Sequence, residues 1–231
     1  MQGLSKLIDS AVTDSDGLGI DHQGRGTLTI KNSEISGNDD GIIISESKAF
    51  IINSTVNSNF GRISSSISNG GTLHLYHSTV SNTVGTGGGG GISNRGTLIV
   101  KHSSIINNST SEQAGGGGII NGGVAIIEDS LIAGNIGGFA LGGGGIINRG
   151  RLTLIRSTVR GNSVPGDVGF FSGLGGGIYN TGAGARLRLI GTLVTQNVAS
   201  VDGGGVFNDG GTVLQTKTLI INNTPNDCVG C

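Results

Sequence analysis

The sequence predicts an all-β fold, a right-handed parallel β-helix of about eight coils with three short strands per coil and asparagine ladders at the corners. Three recurring columns of residues predict it. The first is a small hydroxyl, one residue, an aliphatic, two residues, then Asn. It occurs at Ser33/Ile35/Asn38, Ser54/Val56/Asn59, Ser103/Ile105/Asn108, Ser130/Ile132/Asn135, Ser157/Val159/Asn162, Thr192/Val194/Asn197 and Thr218/Ile220/Asn223. Ser78/Val80/Thr83 is the one break in its Asn position, and Ser10/Val12/Ser15 is a degenerate copy. The second column lies five and three residues before each hydroxyl: Leu28/Ile30, Ala49/Ile51, Leu73/Leu75, Leu98/Val100, Ala125/Ile127, Leu152/Leu154 and Leu187/Leu189, broken at Val213/Gln215. The third is Ile-x-Asn, at Ile67/Asn69, Ile92/Asn94, Ile119/Asn121, Ile146/Asn148 and Ile178/Asn180, with Val206/Asn208 its last copy.

Apolar residues two apart put both side chains on one face of a strand, and no window between glycine runs shows the three-and-four spacing of a helix. Copies follow each other at 21 to 35 residues, and the variation falls between the Asn and the next glycine run. A solenoid behaves this way, keeping its walls and letting one corner grow. Parallel stacking then places like over like at roughly 4.8 Å, giving interior rows of Leu, Ile and Val. At a sharp corner the backbone loses its strand partners. An inward Asn amide can bond that backbone and the Asn above and below, and Asn also tolerates left-handed backbone conformations. Glycine, 47 residues of 231, gathers at one corner of each coil, where positive φ or close strand approach is needed.

The whole chain, 1–231, reads as one β-helix domain. Residues 1–15 are a partial first coil, 163–174 are the longest corner loop, carrying Phe170 and Phe171, and 224–231 are a C-terminal tail after the last coil. The chain begins inside a coil without a cap, and residues 1–10 lack the apolar core of a signal peptide. The expectation is a piece of a longer protein, or a first coil covered by something else.

Net charge is −1 and 13% of residues are charged, with eight Phe and Tyr and no Trp. No basic stripe marks a nucleic-acid partner, and no apolar run approaches a membrane span. The glycine runs are not followed by the Gly-Lys-Ser/Thr and helix of a phosphate loop, and no Gly-Gly-x-Gly-x-Asp calcium repeat occurs. Cys228 and Cys231 form CVGC without a second pair or a βαβ unit, which favours a tail or a local disulfide over a redox or zinc site.

The runs GGGGGISN, GGGGIIN, GGGIYN and GGGVFN, the STV-type endings and the TPNDC segment resemble those of bacterial right-handed parallel β-helix repeat proteins. They are similar to polymorphic outer-membrane-protein surface repeats, whose hallmark is a Gly-Gly-aliphatic run plus a short motif ending in Asn. The resemblance covers nearly the whole chain. It implies an exported, extracellular or cell-surface, adhesin-like protein, though no export signal and no autotransporter barrel is visible in the sequence.

Two constellations are candidates for chemistry. Asp39 and Asp40, in Asn-Asp-Asp-Gly, resemble the acid motif of polygalacturonase-type glycosidases, where two carboxylates about 5–10 Å apart serve as acid and base. The following coil offers no histidine, and Asp-Asp-Gly is also ordinary turn chemistry. Stacking should bring His77, His102 and Asp129 together on an outward surface, as a metal or base site, or as a polar strip paired by alternating charge. An outward row of Phe50, Ile99, Ile126 and Leu214, interrupted by His74, Thr153 and Arg188, predicts a small apolar patch.

The function expected is a non-enzymatic structural or adhesin-like module of an exported or cell-surface bacterial protein, contacting carbohydrate. The alternative is a polysaccharide lyase or glycoside hydrolase acting on an acidic polysaccharide through Asp39 and Asp40 or through His77, His102 and Asp129. No cofactor is expected. The expected partners are a polysaccharide, the rest of a longer surface protein, or a second copy meeting a solenoid end, with no nucleic acid and no membrane span.

Overall fold

In each coil the short apolar columns become strands because aliphatic residues two apart fall on one face, which can be buried while the residues between them face outward. In Thr97–Lys101, Leu98 and Val100 are fully buried while Thr97, Ile99 and Lys101 are half exposed. The structure, a computed structural model, describes residues 3–61, 65–86, 89–110, 115–138, 142–166 and 173–231.

Like strands of successive coils pair in parallel into three sheets of nine strands, and no helix occurs among the described residues. The first sheet runs from Gly3–Ile8 through Lys48–Ile52, Thr72–Tyr76, Thr97–Lys101, Val124–Glu128, Arg151–Ile155 and Arg186–Ile190 to Thr212–Thr216. The second runs from Ala11–Thr13 to Leu219–Ile221 and carries the Ser-x-aliphatic columns. The third runs from Leu18–Gln23 and Asp40–Ser45 through the Ile-x-Asn strands to Cys228–Val229. The register places Leu73, Leu98 and Ala125 above one another and Ile67, Ile92 and Ile119 likewise. These rows form one aliphatic core, each buried Leu or Ile contributing about 1.5–3 kcal/mol.

A polar ladder stands at each corner of the coil. Between the first and second sheets it is built of serines: the Ser78 N–H donates to Ser103 Oγ at 3.1 Å, while Ser78 Oγ donates to the Tyr76 carbonyl at 2.7 Å. Between the second and third sheets it is built of Asn: Asn108 donates through N–H and Nδ2 to Asn135 Oδ1, both at 3.0 Å, and Nδ2 also reaches the Val80 carbonyl of the previous coil at 3.1 Å. Between the third and first sheets, Asn69, Asn94, Asn121, Asn148, Asn180 and Asn208 pass Nδ2–Oδ1 bonds of 2.7–2.8 Å from coil to coil.

The ladder Asn themselves are not left-handed. Left-handed backbone falls on the residues just before the rungs of the ladder between the second and third sheets, such as Asn107 at φ 54° and Asn222 at φ 59°, and on those just before the ladder serines, such as His77 at φ 47° and His102 at φ 48°. At these two corners the turn is made one residue before the inward side chain. The glycine corner is set mainly by close approach: a Cβ at Gly118 would stand 2.6 Å from the Gly145 carbonyl and 3.0 Å from Asn135 Nδ2.

That contact explains the one irregular rung. Gly19, Gly41, Gly91, Gly118, Gly145, Gly177 and Gly205 each lie against the amide of a ladder Asn. The corresponding position in the remaining coil is Ser66, whose carbonyl and N–H pair with Ile42 and Gly90, and there the ladder residue is Thr83. Asn59, which lacks an Asn above it, donates Nδ2 to Ser66 Oγ at 3.1 Å instead. Thr83 still donates its N–H to Asn108 Oδ1 at 3.2 Å. A shorter ladder residue thus makes room for a Cβ, and the hydroxyl on that Cβ replaces the missing acceptor.

Residues 224–231 are not a tail trailing from the last coil. Cys228–Val229 adds the ninth strand of the third sheet, pairing with Val206 and Phe207. Asp227 Oδ1 accepts from the N–H and Nδ2 of Asn223 at 2.9 and 3.0 Å, and the Gly230 carbonyl accepts from Asn208 Nδ2 at 2.9 Å. Both Asn ladders therefore end on acceptors from this segment, and a Cys228–Cys231 disulfide clips it. Pro225 interrupts pairing only locally. In the corner 163–174, Ser163–Val164 pairs with Val198–Ala199, whereas Phe170 and Phe171 lie outside the described residues.

The Ser66–Thr83 pair is testable by a double-mutant cycle. Thr83→Asn alone should crowd the Ser66 Cβ, and Ser66→Gly alone should strip Asn59 of an acceptor, each costing about 1–3 kcal/mol in urea unfolding. Together they rebuild a regular rung and should recover most of the loss. Additive losses would show that the two positions are not coupled.

Candidate functional site

With interior and corners committed to packing, the outward columns of the first sheet carry the chemistry that varies from coil to coil. Its middle column reads Thr29, Phe50, His74, Ile99, Ile126, Thr153, Arg188, Leu214, in unbroken register. The apolar row expected from the sequence is therefore present, and its interruptions fall where expected.

Phe50 and His74 stack at 4.8 Å between ring centroids with 22° between planes. Tyr76, two residues on and facing the same side, tilts against His74 at 5.7 Å, and its hydroxyl lies 2.8 Å from His74 Nδ1. Lys48 Nζ stands 4.7 Å over the Phe50 ring. Burial, followed by the Lys48 charge, pushes the His74 pKa below its ordinary 6.5, because both disfavour the imidazolium.

The corner beside this row holds His77, His102 and Asp129. Their column is Asp9, Asn32, Asn53, His77, His102, Asp129, Arg156, Gly191 and Lys217, each with φ between 46° and 57°. Asn, Asp and His are the side chains most often accepted in that region, so the backbone alone accounts for much of the column's composition. His77 and His102 do come together, stacked at 5.0 Å with 11° between planes. Their nitrogens lie in two parallel planes, whereas a tetrahedral ion needs in-plane lone pairs that converge. Asp129 is engaged by Arg156, whose Nε and terminal nitrogen donate to its two oxygens at 2.8 and 2.7 Å. Glu128 pairs with Lys101 at 2.7 Å and also with Arg156. Among the described residues no group of three His, Cys, Asp or Glu is placed to hold a metal.

Ion pairing sets the titration of this strip. The Arg156 guanidinium holds the Asp129 carboxyl below the usual range; Lys101, then Arg156, does the same for Glu128. Both remain ions at neutral pH, which suits a paired exterior strip and not a general acid.

Asp39 and Asp40 lie elsewhere on the coil, at the entry to the third sheet. Asp40 opens Asp40–Ser45 and is buried at 4% exposure, and Asp39 is half buried. Their N–H groups donate to the Ser15 and Gly17 carbonyls of the preceding coil. The two constellations thus belong to different walls. The self-neutralised Lys101–Glu128–Arg156–Asp129 cluster was visible in the sequence as alternating charge on successive rungs.

No protein-family model matches the chain, and no curated protein matches it either.

Two titrations test these electrostatics. In Arg156→Ala, the Asp129 carboxyl pKa should rise toward its ordinary value by carbon-detected NMR, and Glu128, still paired with Lys101, should rise less. Because both folded-state values are depressed, the stabilisation they supply is present above about pH 4 and fades as pH falls through the lowered values. In Lys48→Ala the His74 pKa should rise yet stay below 6.5, since burial is its larger cause. An unshifted Asp129 or a His74 at its ordinary value would contradict the assignment.

Proposed function

We propose that this chain is a non-enzymatic structural, adhesin-like module of an exported or cell-surface bacterial protein, and that it contacts carbohydrate with the outer face of its first sheet. The observation that carries this reading is the in-register row Phe50–His74–Ile99–Ile126 with Tyr76 beside it. Half-exposed rings and aliphatics are held flat there by a rigid interior, next to polar groups able to orient a bound sugar. A row of rings and aliphatics on a solvent-facing sheet has the chemistry of a contact surface.

Three further features support it. The Cys228–Cys231 disulfide suits an oxidising compartment. The Gly-Gly-aliphatic and Asn-ending motifs are similar to those of bacterial surface repeats. The carboxylates nearest the row are tied up as ions by Arg156 and Lys101. The remainder of a longer surface protein, or a second copy, is the other partner of this reading. It would meet the first-coil edge, where Leu4 is 67% and Ile8 45% exposed.

A glycan-array screen with a parallel assay for released sugar ends tests it. Binding without turnover is expected, weakened about tenfold in Phe50→Ala, the factor for losing about 1.4 kcal/mol of contact. Turnover abolished by Asp39→Asn or Asp40→Asn would replace this reading with a polysaccharide lyase or glycoside hydrolase. Binding indifferent to Phe50 would remove the row from the argument.

A further inference from the structure

One coil beyond Ile126, the last residue of the Phe50–His74–Ile99–Ile126 row, the same outer face turns cationic. Arg151 and Arg186 are direct register partners on adjacent strands, and Arg188 follows Arg186 on the same face, beside Thr153. With Thr212 and Leu214 they line a groove of about 490 Å³. All three arginines are exposed, and Leu214, beside Arg188, is 60% exposed.

Two facts set this cluster apart. Like charges directly opposite one another on neighbouring strands, about 4.8 Å apart, oppose folding. And among the described residues no carboxylate lies within ion-pair distance of these three, although Lys101 and Arg156 on nearby rungs are both neutralised by Glu128, and Arg156 by Asp129 as well. The fold thus compensates one set of cations on this face and leaves another open. A solvated surface carries single arginines without consequence; a stacked, unneutralised group around a groove with an exposed aliphatic has the chemistry of an anion site.

We propose that this groove binds an acidic polysaccharide, its carboxylate or sulfate groups taken by the guanidinium forks of Arg151, Arg186 and Arg188 and the apolar face of a sugar ring resting on Leu214. Planar forks match such oxyanions bidentately, and the Thr153 and Thr212 hydroxyls stand ready for sugar hydroxyls. A single-stranded nucleic acid fits less well, since no ring lines the groove for a base to stack on. The inference goes beyond the aromatic row: Phe50→Ala should leave it intact, so the two fail separately.

The test is calorimetric titration of the whole chain with a polygalacturonate oligosaccharide, a heparin-derived oligosaccharide, a neutral dextran oligosaccharide and a single-stranded oligonucleotide. At least one acidic oligosaccharide should bind, more weakly as salt rises, and the carboxylated and sulfated arms identify which acid is preferred. Dextran should not bind. Arg186→Gln with Arg188→Gln should weaken binding about tenfold or more. Arg186→Lys with Arg188→Lys, which keeps the charge and loses the forks, should fall between. The Gln variant should unfold no earlier than the parent, because like-charge repulsion is relieved. Failure of both acidic oligosaccharides, equal binding by the Gln variant, or tighter binding of the oligonucleotide would each overturn the proposal.

Discussion

The structure depends on satisfying backbone polar groups at the corners of a stack. Within the strands each N–H and C=O finds a partner in the next coil, but at a corner the chain turns away from that geometry and a buried orphan costs about 1–3 kcal/mol. Three ladders meet this demand with two side-chain lengths. Serine suffices where the hydroxyl can return to its own strand, as Ser103 Oγ does to the Lys101 carbonyl at 2.7 Å. Asparagine is used where one side chain must reach both a neighbouring amide and a carbonyl of the previous coil, as Asn135 does with Asn162 and Ile105. Because every rung is donor to one neighbour and acceptor to another, no rung is chosen independently. A break must be made good locally, as Ser66 does for Thr83, and an end must be given an acceptor, as Asp227 and Gly230 do.

The same constraint shapes the surface. At two of the three corners the residue before the ladder rung takes a left-handed backbone, and these outward positions are filled by Asn, Asp, His, Gly, Ser or a long polar side chain. His77, His102 and Asp129 occupy such positions. Their proximity follows from stacking and their identities largely from φ, which removes much of the reason for reading them as a reactive group. Asp129 then finds Arg156 one rung away and Glu128 finds Lys101, making an exterior strip of alternating charge.

Most of the fold was legible because a solenoid writes its contacts as columns. The core rows, the two Asn ladders, the serine corner and the outward row from Phe50 to Leu214 all follow from aligning copies. What was missed required reading columns against one another. Ser66 and Thr83 each look like a lapse when read alone; the compensation appears only when the glycine column is laid over the Asn column, where the single Ser coincides with the single Thr. The closing role of 224–231 was hidden because its ligands to the ladders, an Asp carboxylate and a Gly carbonyl, do not resemble the Asn they serve. The candidate site was legible as neighbours and not as geometry: stacking foretold that His77 and His102 would meet, but not that their rings would lie parallel.

In a repeat of this kind, chemistry specific to the protein must lie in departures from the repeat, since whatever recurs in every coil is accounted for by stacking. The outer face of the first sheet departs most. Its middle column passes from ring-bearing and aliphatic side chains between Phe50 and Ile126 to Arg188 and Leu214, and the column beside it passes from Thr97 to Arg151 and Arg186. Nothing in the interior demands that change, because the inward residues beneath remain aliphatic from Leu73 to Leu189. Nor does surface electrostatics, since opposed arginines raise the energy of the fold. A gradient of surface chemistry along the axis, at a cost to stability and over an unchanging core, is the pattern expected when an extended partner lies along the stack and meets different groups on successive rungs.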